Sequence, residues 1–321
     1  MCVRIWTNMR HLCTYFDINF VPRGRALLDS LTKQSESFIL YILALDEQTL
    51  VYLKSIKHPN VQLITLEEYI KYFNIDRSKY KTEKEFYFSI KPSLCLYLME
   101  LNKEIDLLLY VDSDMYFYND LELLYNEIGN ASIAMCHQHL PWYLSKKYGI
   151  YNAGFVAFKN DDEGVKCLHE WYKNCSVWDV NQKGYELSFF SDQVWLTAWP
   201  LEYKNVKIIM HKGVNTAPWN ANQYNFTQND GKFYVDGVPL ILYHFSSIRQ
   251  LKQAKWHVNT AFTILNVKDV LKRVYVEYLL NVEKYISTEK IENKELKVSG
   301  NRLKTIISYI SSNIHNHIVE F

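Results

Sequence analysis

Residues Leu107–Tyr118, LLLYVDSDMYFY, decide how this chain is read. Five apolar residues run directly into Asp112-Ser113-Asp114, so a buried strand ends in two carboxylates. Side chains two apart on an extended segment point the same way, and open α/β sheets bind ligands in the crevice beyond the carboxyl ends of their strands. The pair stands where a divalent metal and a phosphate are expected. An Asp-x-Asp alone arises by chance about once per few hundred residues of average composition, so the surrounding pattern must raise it.

Upstream, short apolar runs rich in β-branched and aromatic residues alternate with helical patterns. His11 to Phe16 reads as a strand, Arg23 to Leu31 as a helix opened by Pro22, Phe38 to Leu45 as a strand and Glu47 to Ile56 as a helix. Val61 to Ile64 is a further strand. Thr65 with Glu68 has the capping-box spacing that starts the next helix, and Thr82 with Glu85 repeats it. Helical periodicity continues through Leu94, Leu98 and Leu101 to the strand that ends at Asp112. This alternation predicts an α/β fold, a mainly parallel sheet with helices on both faces.

Downstream the signals shorten. Strands are expected at Ser132 to Cys136, Gly154 to Phe158, Val206 to Met210, Lys232 to Val235 and Leu240 to Phe245, with a turn at Asp236-Gly237 joining the last two. These pieces suit a second, smaller sheet over the crevice. From Leu251 onward the pattern is largely helical, interrupted by polar residues at Ser287 to Arg302. Thereafter LKTIISYISSNI, residues 303–314, spaces its apolar residues on one helical face. That face packs on the domain, dimerises or rests on a membrane surface. The expected division is a catalytic domain at 1–255, with a nucleotide-binding half to about residue 120 and an acceptor half from 121, followed by a helical C-terminal extension at 256–321.

Composition narrows the function classes. A chain of 321 residues, 48% of them hydrophobic, can bury a large core. With 36 Lys and Arg against 35 Asp and Glu, the net charge of +1 offers no broad field for nucleic acid. Six cysteines, Cys2, Cys13, Cys95, Cys136, Cys167 and Cys175, include no CxxC pair and are too sparse for a disulfide scaffold. Reduced thiols in a cytoplasmic enzyme fit them. The N-terminus has no apolar signal segment, and no window reaches 18 uninterrupted apolar residues, which predicts neither secretion nor membrane spanning. The sequons at Asn130, Asn174 and Asn225 should then carry no sugar.

Four further constellations follow the aspartates. Tyr151-Asn152-Ala153-Gly154-Phe155 puts an amide and two small residues just before a strand, which suits either close approach of backbone to a ligand or an ordinary turn. Ser191-Asp192-Gln193 offers a carboxylate beside an amide, or a helix N-cap. Thr216-Ala217-Pro218-Trp219-Asn220 carries an aromatic ring for stacking on a sugar, or for the core. His244, at the end of an apolar strand, is a ligand or a hydrogen-bonded structural residue.

Their order and spacing, an apolar strand into Asp-x-Asp, then Asn-Ala-Gly, Asp-Gln and His-Phe, closely resemble nucleotide-sugar glycosyltransferases of the GT-A fold. The best match is to the retaining branch, glycosyltransferase family 8, with the bacterial lipopolysaccharide galactosyl- and glucosyltransferases and glycogenin-like enzymes. HLCTYFDINFVPRGRALLDSL, residues 11–31, is similar to that family's first strand and helix, which hold the nucleotide base. The resemblance covers roughly residues 11 to 250, and its motifs are specific jointly rather than singly. It implies a GT-A fold, a Rossmann-like sheet with a smaller second sheet, and transfer of galactose or glucose from a UDP-sugar to a glycan or lipid-linked saccharide at the cytoplasmic face of a membrane.

The resemblance also implies residue roles. Asp114 binds the metal, Asp112 bridges metal and ribose, and His244 completes the protein ligands. An imidazole among carboxylates suits Mn²⁺ better than Mg²⁺. Thr14, Phe16, Asp17, Ser113 and Trp219 fall at donor-binding positions, as does Lys91, where the family commonly has Arg. Asn152 and Asp192 would hold donor-sugar hydroxyls, with Gln193 near the anomeric carbon. Where the family often has Lys-Pro-Trp after the histidine, this chain has Ser246-Ser247-Ile248-Arg249, which leaves Arg249 or Lys252 as the phosphate cation. Retention follows either from a carboxylate nucleophile or from attack on the face the leaving group vacates. Rival functions are a sugar nucleotidyltransferase or pyrophosphorylase, of whose glycine-rich loop Val21-Pro22-Arg23-Gly24-Arg25 is a faint echo, and a non-catalytic carbohydrate-binding protein.

Overall fold

The computed structural model describes residues 9–80, 83–140, 145, 149–176, 192–258, 267, 269–289 and 318–321. The Thr82 capping box, Ser191 and the amphipathic stretch 303–314 lie outside the described residues. Elements alternate from the start: β1 (Arg10–Phe16), α1 (Val21–Gln34), β2 (Phe38–Ala44), α2 (Glu47–Ile56), β3 (Val61–Thr65), α3 (Leu66–Phe73), α4 (Glu83–Leu101) and β4 (Leu107–Val111). The expected boundaries hold to within a few residues because local chemistry sets them. Asp46 caps α2 by accepting from Thr49 N at 2.7 Å. Thr65 and Glu68 close the reciprocal capping box on α3.

Contacts divide the chain into two compact units. The first comprises Met1–Asp17, Ser35–Asp112 and Leu124–Met210. It contains a seven-stranded sheet of order β3-β2-β1-β4-β7-β6-β8, completed by β6 (Ile133–His137), β7 (Tyr151–Lys159) and β8 (Val206–Ile209). All pairs are parallel except the two made by β7. Successive strands lie outward from β1 to β3, and the next strand, β4, lies on the other side of β1. This reversal is the topological switch point at which such sheets bind ligands. The strands read as near-continuous apolar runs because both faces are covered. Leu94, Leu98, Leu108, Val156, Phe158 and Trp171 meet in the core, the last from α6 (Asp162–Ser176), which follows α5 (Leu121–Ile128).

Asn152-Ala153-Gly154 lies within β7 rather than before it. Met135 pairs with Val156 but Cys136 with Asn152, so Ala153 to Phe155 form an irregular bulge against β6. Bulges of this kind re-aim side chains beside functional sites.

The second unit comprises Ile18–Gln34, Ser113–Leu123 and His211–Phe321. Of the five strands expected to form one smaller sheet, the three at Ile133–His137, Tyr151–Lys159 and Val206–Ile209 extend the large sheet instead, and among the described residues the second unit holds three sheets of three strands each. One joins β5 (Met115–Phe117), β13 (Leu242–His244) and β9 (Val214–Thr216); another is the meander β10 (Phe226–Asn229), β11 (Lys232–Val235) and β12 (Val238–Pro239). The turn at Asp236-Gly237, with both residues at positive φ, joins β11 to β12 and not to the strand bearing His244. Pro239 has no N–H to extend the meander, and the Ile241 and Leu242 amides turn instead to the Gly213 carbonyl, at 2.8 and 2.9 Å. Only glycine fits at 213, because a Cβ there would lie 1.9 Å from the Pro239 oxygen.

Helix does not begin at Leu251. Arg249–Lys252 (β14) and Lys255–His257 (β15) form a hairpin that pairs onward with Ile318–Glu320 (β16), and helix α7 spans Asp269–Glu289. The buried carboxylate of Glu283 on α7 accepts from Gln250 Nε2 at 2.6 Å, Trp256 Nε1 at 2.7 Å and Ala254 N at 3.1 Å, which binds the hairpin to the helix. No helix among the described residues is long and apolar enough to cross a membrane. The five described cysteines are buried free thiols.

Candidate active site

Asp112 lies immediately beyond the carboxyl end of β4, and its amide still bonds the Gly154 carbonyl of β7 at 2.8 Å. The following Ser113 is buried. Asp114 enters β5, where its carbonyl accepts from Phe245 N at 2.9 Å. The antiparallel register of β5 with β13 sets His244 opposite Met115, the residue after Asp114. His244 Nε2 consequently stands 3.2 Å from Asp114 Oδ1. Because Asp112 and Asp114 are two residues apart on one chain, connectivity keeps their carboxylates close; the ligand atoms of Asp112, Asp114 and His244 all lie within 4.8 Å of one another.

Burial alone would raise the Asp114 carboxyl pKa, but the facing His244 and, more weakly, Arg23 hold it below the ordinary carboxylate range. Two hard oxygen donors and one imidazole suit a borderline divalent cation. This donor set therefore fits the metal that the resemblance implies. Trp219 sets its ring edge-on to His244, with centroids 5.2 Å apart.

A second cluster centres on Lys91 of α4. Its ammonium lies 2.9 Å from Asp192 Oδ2 and 3.3 Å from Asp112 Oδ1, and it donates to the Ala153 carbonyl at 3.0 Å. Those three contacts match the three donors of an ammonium. The nitrogen also stands 4.9 Å from the centre of the Tyr110 ring. Burial favours the neutral amine, yet Asp112 and Asp192 outweigh it and the pKa rises. Lys91 is thus committed to two carboxylates and the β7 bulge, so a diphosphate would have to compete for it.

Asn152 and Gln193 come together: Gln193 Oε1 accepts from Asn152 Nδ2 and from Ala153 N, both at 3.1 Å, while Asn152 Oδ1 accepts from Gly154 N at 3.0 Å. Asp192 does not cap the 3-10 turn that follows it; its carbonyl accepts from Trp171 Nε1 at 2.8 Å. Thr14 and Phe16 are buried in β1, and the Thr14 hydroxyl has no partner among the described residues. Asp17 follows at the mouth of that strand, half-buried. Arg249 and Lys252 sit in the β14–β15 hairpin, where Lys252 pairs with Glu320 at 3.3 Å.

Sequence reading missed two contributors. The Tyr110 hydroxyl donates to Asp112 Oδ1 at 2.7 Å, a contact that the two-residue strand period could have flagged. Arg23 donates from Nη2 to the Ile248 carbonyl at 3.0 Å, across 225 positions that no local pattern spans.

A family model for nucleotide-diphospho-sugar transferases matches residues 39–254. Two uncharacterized proteins of Bacillus subtilis (strain 168) are similar over most of their length. YfnD is 25% identical over 279 residues, 86% of this chain and 89% of its own. YfnF is 28% identical over 256 residues, 75% of this chain and 84% of its own. Among solved structures, the WbbM bifunctional glycosyltransferase superposes with a TM-score of 0.50 at 15% identity, covering 91% of this chain and 53% of that one. This chain therefore spans about half the length of that protein. The likeness is one of fold, a GT-A fold.

Proposed function

The chain belongs to the nucleotide-diphospho-sugar transferase family, and from that premise we propose that it moves a hexose, galactose or glucose, from a UDP-sugar to a saccharide acceptor. In this reading the acceptor belongs to a cell-surface glycan, Mn²⁺ is the metal, anomeric configuration is retained, and the enzyme works on the cytoplasmic side of the membrane. The observation that carries the reading is the convergence of Asp112, Asp114 and His244 just beyond a parallel-sheet strand. Residues 1–255 would serve as the catalytic domain, and 256–321 as its C-terminal completion.

Asp112, Asp114 and His244 would hold the cation. Bound there, it supplies positive charge against the charge developing on the departing diphosphate, an effect worth several kcal/mol. The protein's own contribution is orientation. Lys91 fixes Asp112 and Asp192 in one arrangement, so neither side chain has to reorganise when the sugar arrives. Asn152 and Gln193 brace each other and the β7 bulge; in this reading Asn152 holds a donor-sugar hydroxyl and Gln193 stands near the anomeric carbon. Trp219 offers a ring face for stacking on a sugar. Asp192, buried and ion-paired at 2.9 Å, is a poor nucleophile. That favours attack from the face the leaving group vacates, with Asp192 and Gln193 as positioning groups and the departing phosphate accepting the acceptor's proton.

The test is a panel of UDP-, GDP- and dTDP-sugars, with and without Mn²⁺ and with simple saccharide acceptors. Mn²⁺-dependent release of UDP, stimulated by acceptor and giving an axially linked product by proton NMR, is expected. An equatorial product overturns retention. Formation of a nucleotide sugar from sugar 1-phosphate identifies a nucleotidyltransferase instead, and glycan binding without any nucleotide binding identifies a lectin-like protein.

A further inference from the structure

We propose that Arg23, in the first turn of α1, grips the donor's diphosphate and takes the place of the basic residue sought after His244. The proposal rests on the reading of the site as a nucleotide-sugar site. Arg249 and Lys252, the first two cations after the histidine, lie on β14, and the ammonium of Lys252 is engaged by Glu320. Arg23 reaches the same loop from the other end of the chain. Its guanidinium donates to the carbonyl of Ile248, four residues beyond His244, and lies 4.6 Å over the Phe20 ring.

The fork of a guanidinium has five N–H donors. The Ile248 carbonyl is its one hydrogen-bond acceptor among the described residues, and no carboxylate there stands at ion-pair distance from it. The rest of the fork is available, and its planar geometry matches two oxygens of a phosphate.

The location is electrostatically costly without a ligand. Helix N-termini carry partial positive charge and favour anions, yet α1 has no acidic residue in its first turn and places Arg23 there. A half-buried cation at the positive end of a 14-residue helix calls for a counter-charge. On the same loop's near side, Tyr278 of α7 stacks its ring on Phe245, the residue after His244, at 3.8 Å. The Tyr278 hydroxyl is buried and has no partner among the described residues. An arginine fork bonded to Ile248 and an orphaned phenol stacked on Phe245 thus flank the segment that follows His244. That arrangement suits a polyanion held partly by metal and partly by side chains.

Calorimetric titration of the full chain, in Mn²⁺, with UDP, GDP and dTDP and with their parent nucleosides tests the proposal. Arg23→Gln keeps a donor for the Ile248 carbonyl but removes the charge; Arg23→Lys keeps the charge but not the fork. Arg23→Gln should weaken the preferred diphosphate by about ten- to a hundredfold, leave nucleoside affinity and melting temperature unchanged, and reduce the salt dependence of binding. Arg23→Lys should recover part of the loss. Unchanged diphosphate affinity in Arg23→Gln, or an equal loss for nucleoside and diphosphate, overturns the proposal, as does a tenfold loss in Arg249→Ala with Arg23→Gln unaffected. If the unaltered chain binds none of the diphosphates, the nucleotide-sugar reading of the site falls first and takes the proposal with it.

Discussion

Lys91 shows how one side chain couples stability to the site. Its ammonium is buried between Asp192 and Asp112, so removing it strands negative charge in a low-dielectric interior, a change that costs about 3–5 kcal/mol in comparable buried pairs. Lys91→Met should lower the urea-derived unfolding free energy by about that amount; a loss below about 1 kcal/mol would mean the carboxylates are well solvated without it. His11 supplies a pH dependence. Burial lowers its imidazole pKa from 6.5, opposed weakly by Glu104, and Nδ1 lies 3.3 Å from the Tyr41 hydroxyl. The fold favours the neutral ring, so its contribution is present above about pH 6.5 and is lost as pH falls below that. Stability measured from about pH 7 down to 5.5 should decline, and His11→Gln should flatten that slope. Equal slopes in the two proteins would remove His11 from the account. At this scale Asp112 and Asp114 were legible because a carboxylate pair ending an apolar strand is a local pattern, whereas His244, 130 positions on, entered only through the family resemblance. The partners of Lys91 were not, since Asp192 stands 101 positions away and only the folded sheet unites them.

Elements were legible where their boundaries are set by neighbours in sequence. The Thr65–Glu68 box and the Asp46 cap mark helix starts from within three residues. The β14–β15 hairpin was not legible, because what holds it is distant. Glu283, 27 positions from Trp256, gathers three donors from a segment whose own periodicity reads as helix. Ala254, at φ 56°, makes the turn without being glycine, so the usual turn signal is missing too. Glu283→Ala leaves the Trp256 indole N–H, the Gln250 amide and the Ala254 N–H without their acceptor. A loss of about 2–4 kcal/mol is expected, since hydrogen bonds to a charged acceptor are worth more than neutral ones. Hydrogen exchange gives the sharper readout: the Ala254 amide should lose protection, and an unchanged rate would show that the hairpin does not depend on the clasp.

At the scale of the molecule, β1 to β4 were legible because strand and helix patterns alternate along the sequence, but β6, β7 and β8, expected in a smaller sheet, extend the large one, and the second unit is assembled from 18–34, 113–123 and 211–321, which no window in the sequence joins. Its core combines Ala26 of α1, Tyr116 of β5 and Phe245 with Trp256, Val274, Tyr275, Tyr278, Leu279, Val282 and Val319. Seven of those ten residues lie beyond 255, where the sequence placed the start of an extension. Each large apolar side chain buried there contributes about 1.5–3 kcal/mol, so a chain ended after residue 255 loses about 10–20 kcal/mol, as much as the whole net stability of a typical domain. The same cut removes the acceptor of the Tyr118 hydroxyl, the Val274 carbonyl at 2.6 Å, and the Tyr275 hydroxyl that meets Tyr243 at 2.9 Å, next to His244. Truncation should therefore abolish Mn²⁺ binding as well as cooperative melting, because the strand that holds His244 loses the surface it packs on. Electron paramagnetic resonance of added Mn²⁺ reads the first effect and calorimetric melting the second. A 1–255 chain that binds Mn²⁺ with undiminished affinity would make the C-terminal segment dispensable, and the metal site a property of the sheets alone.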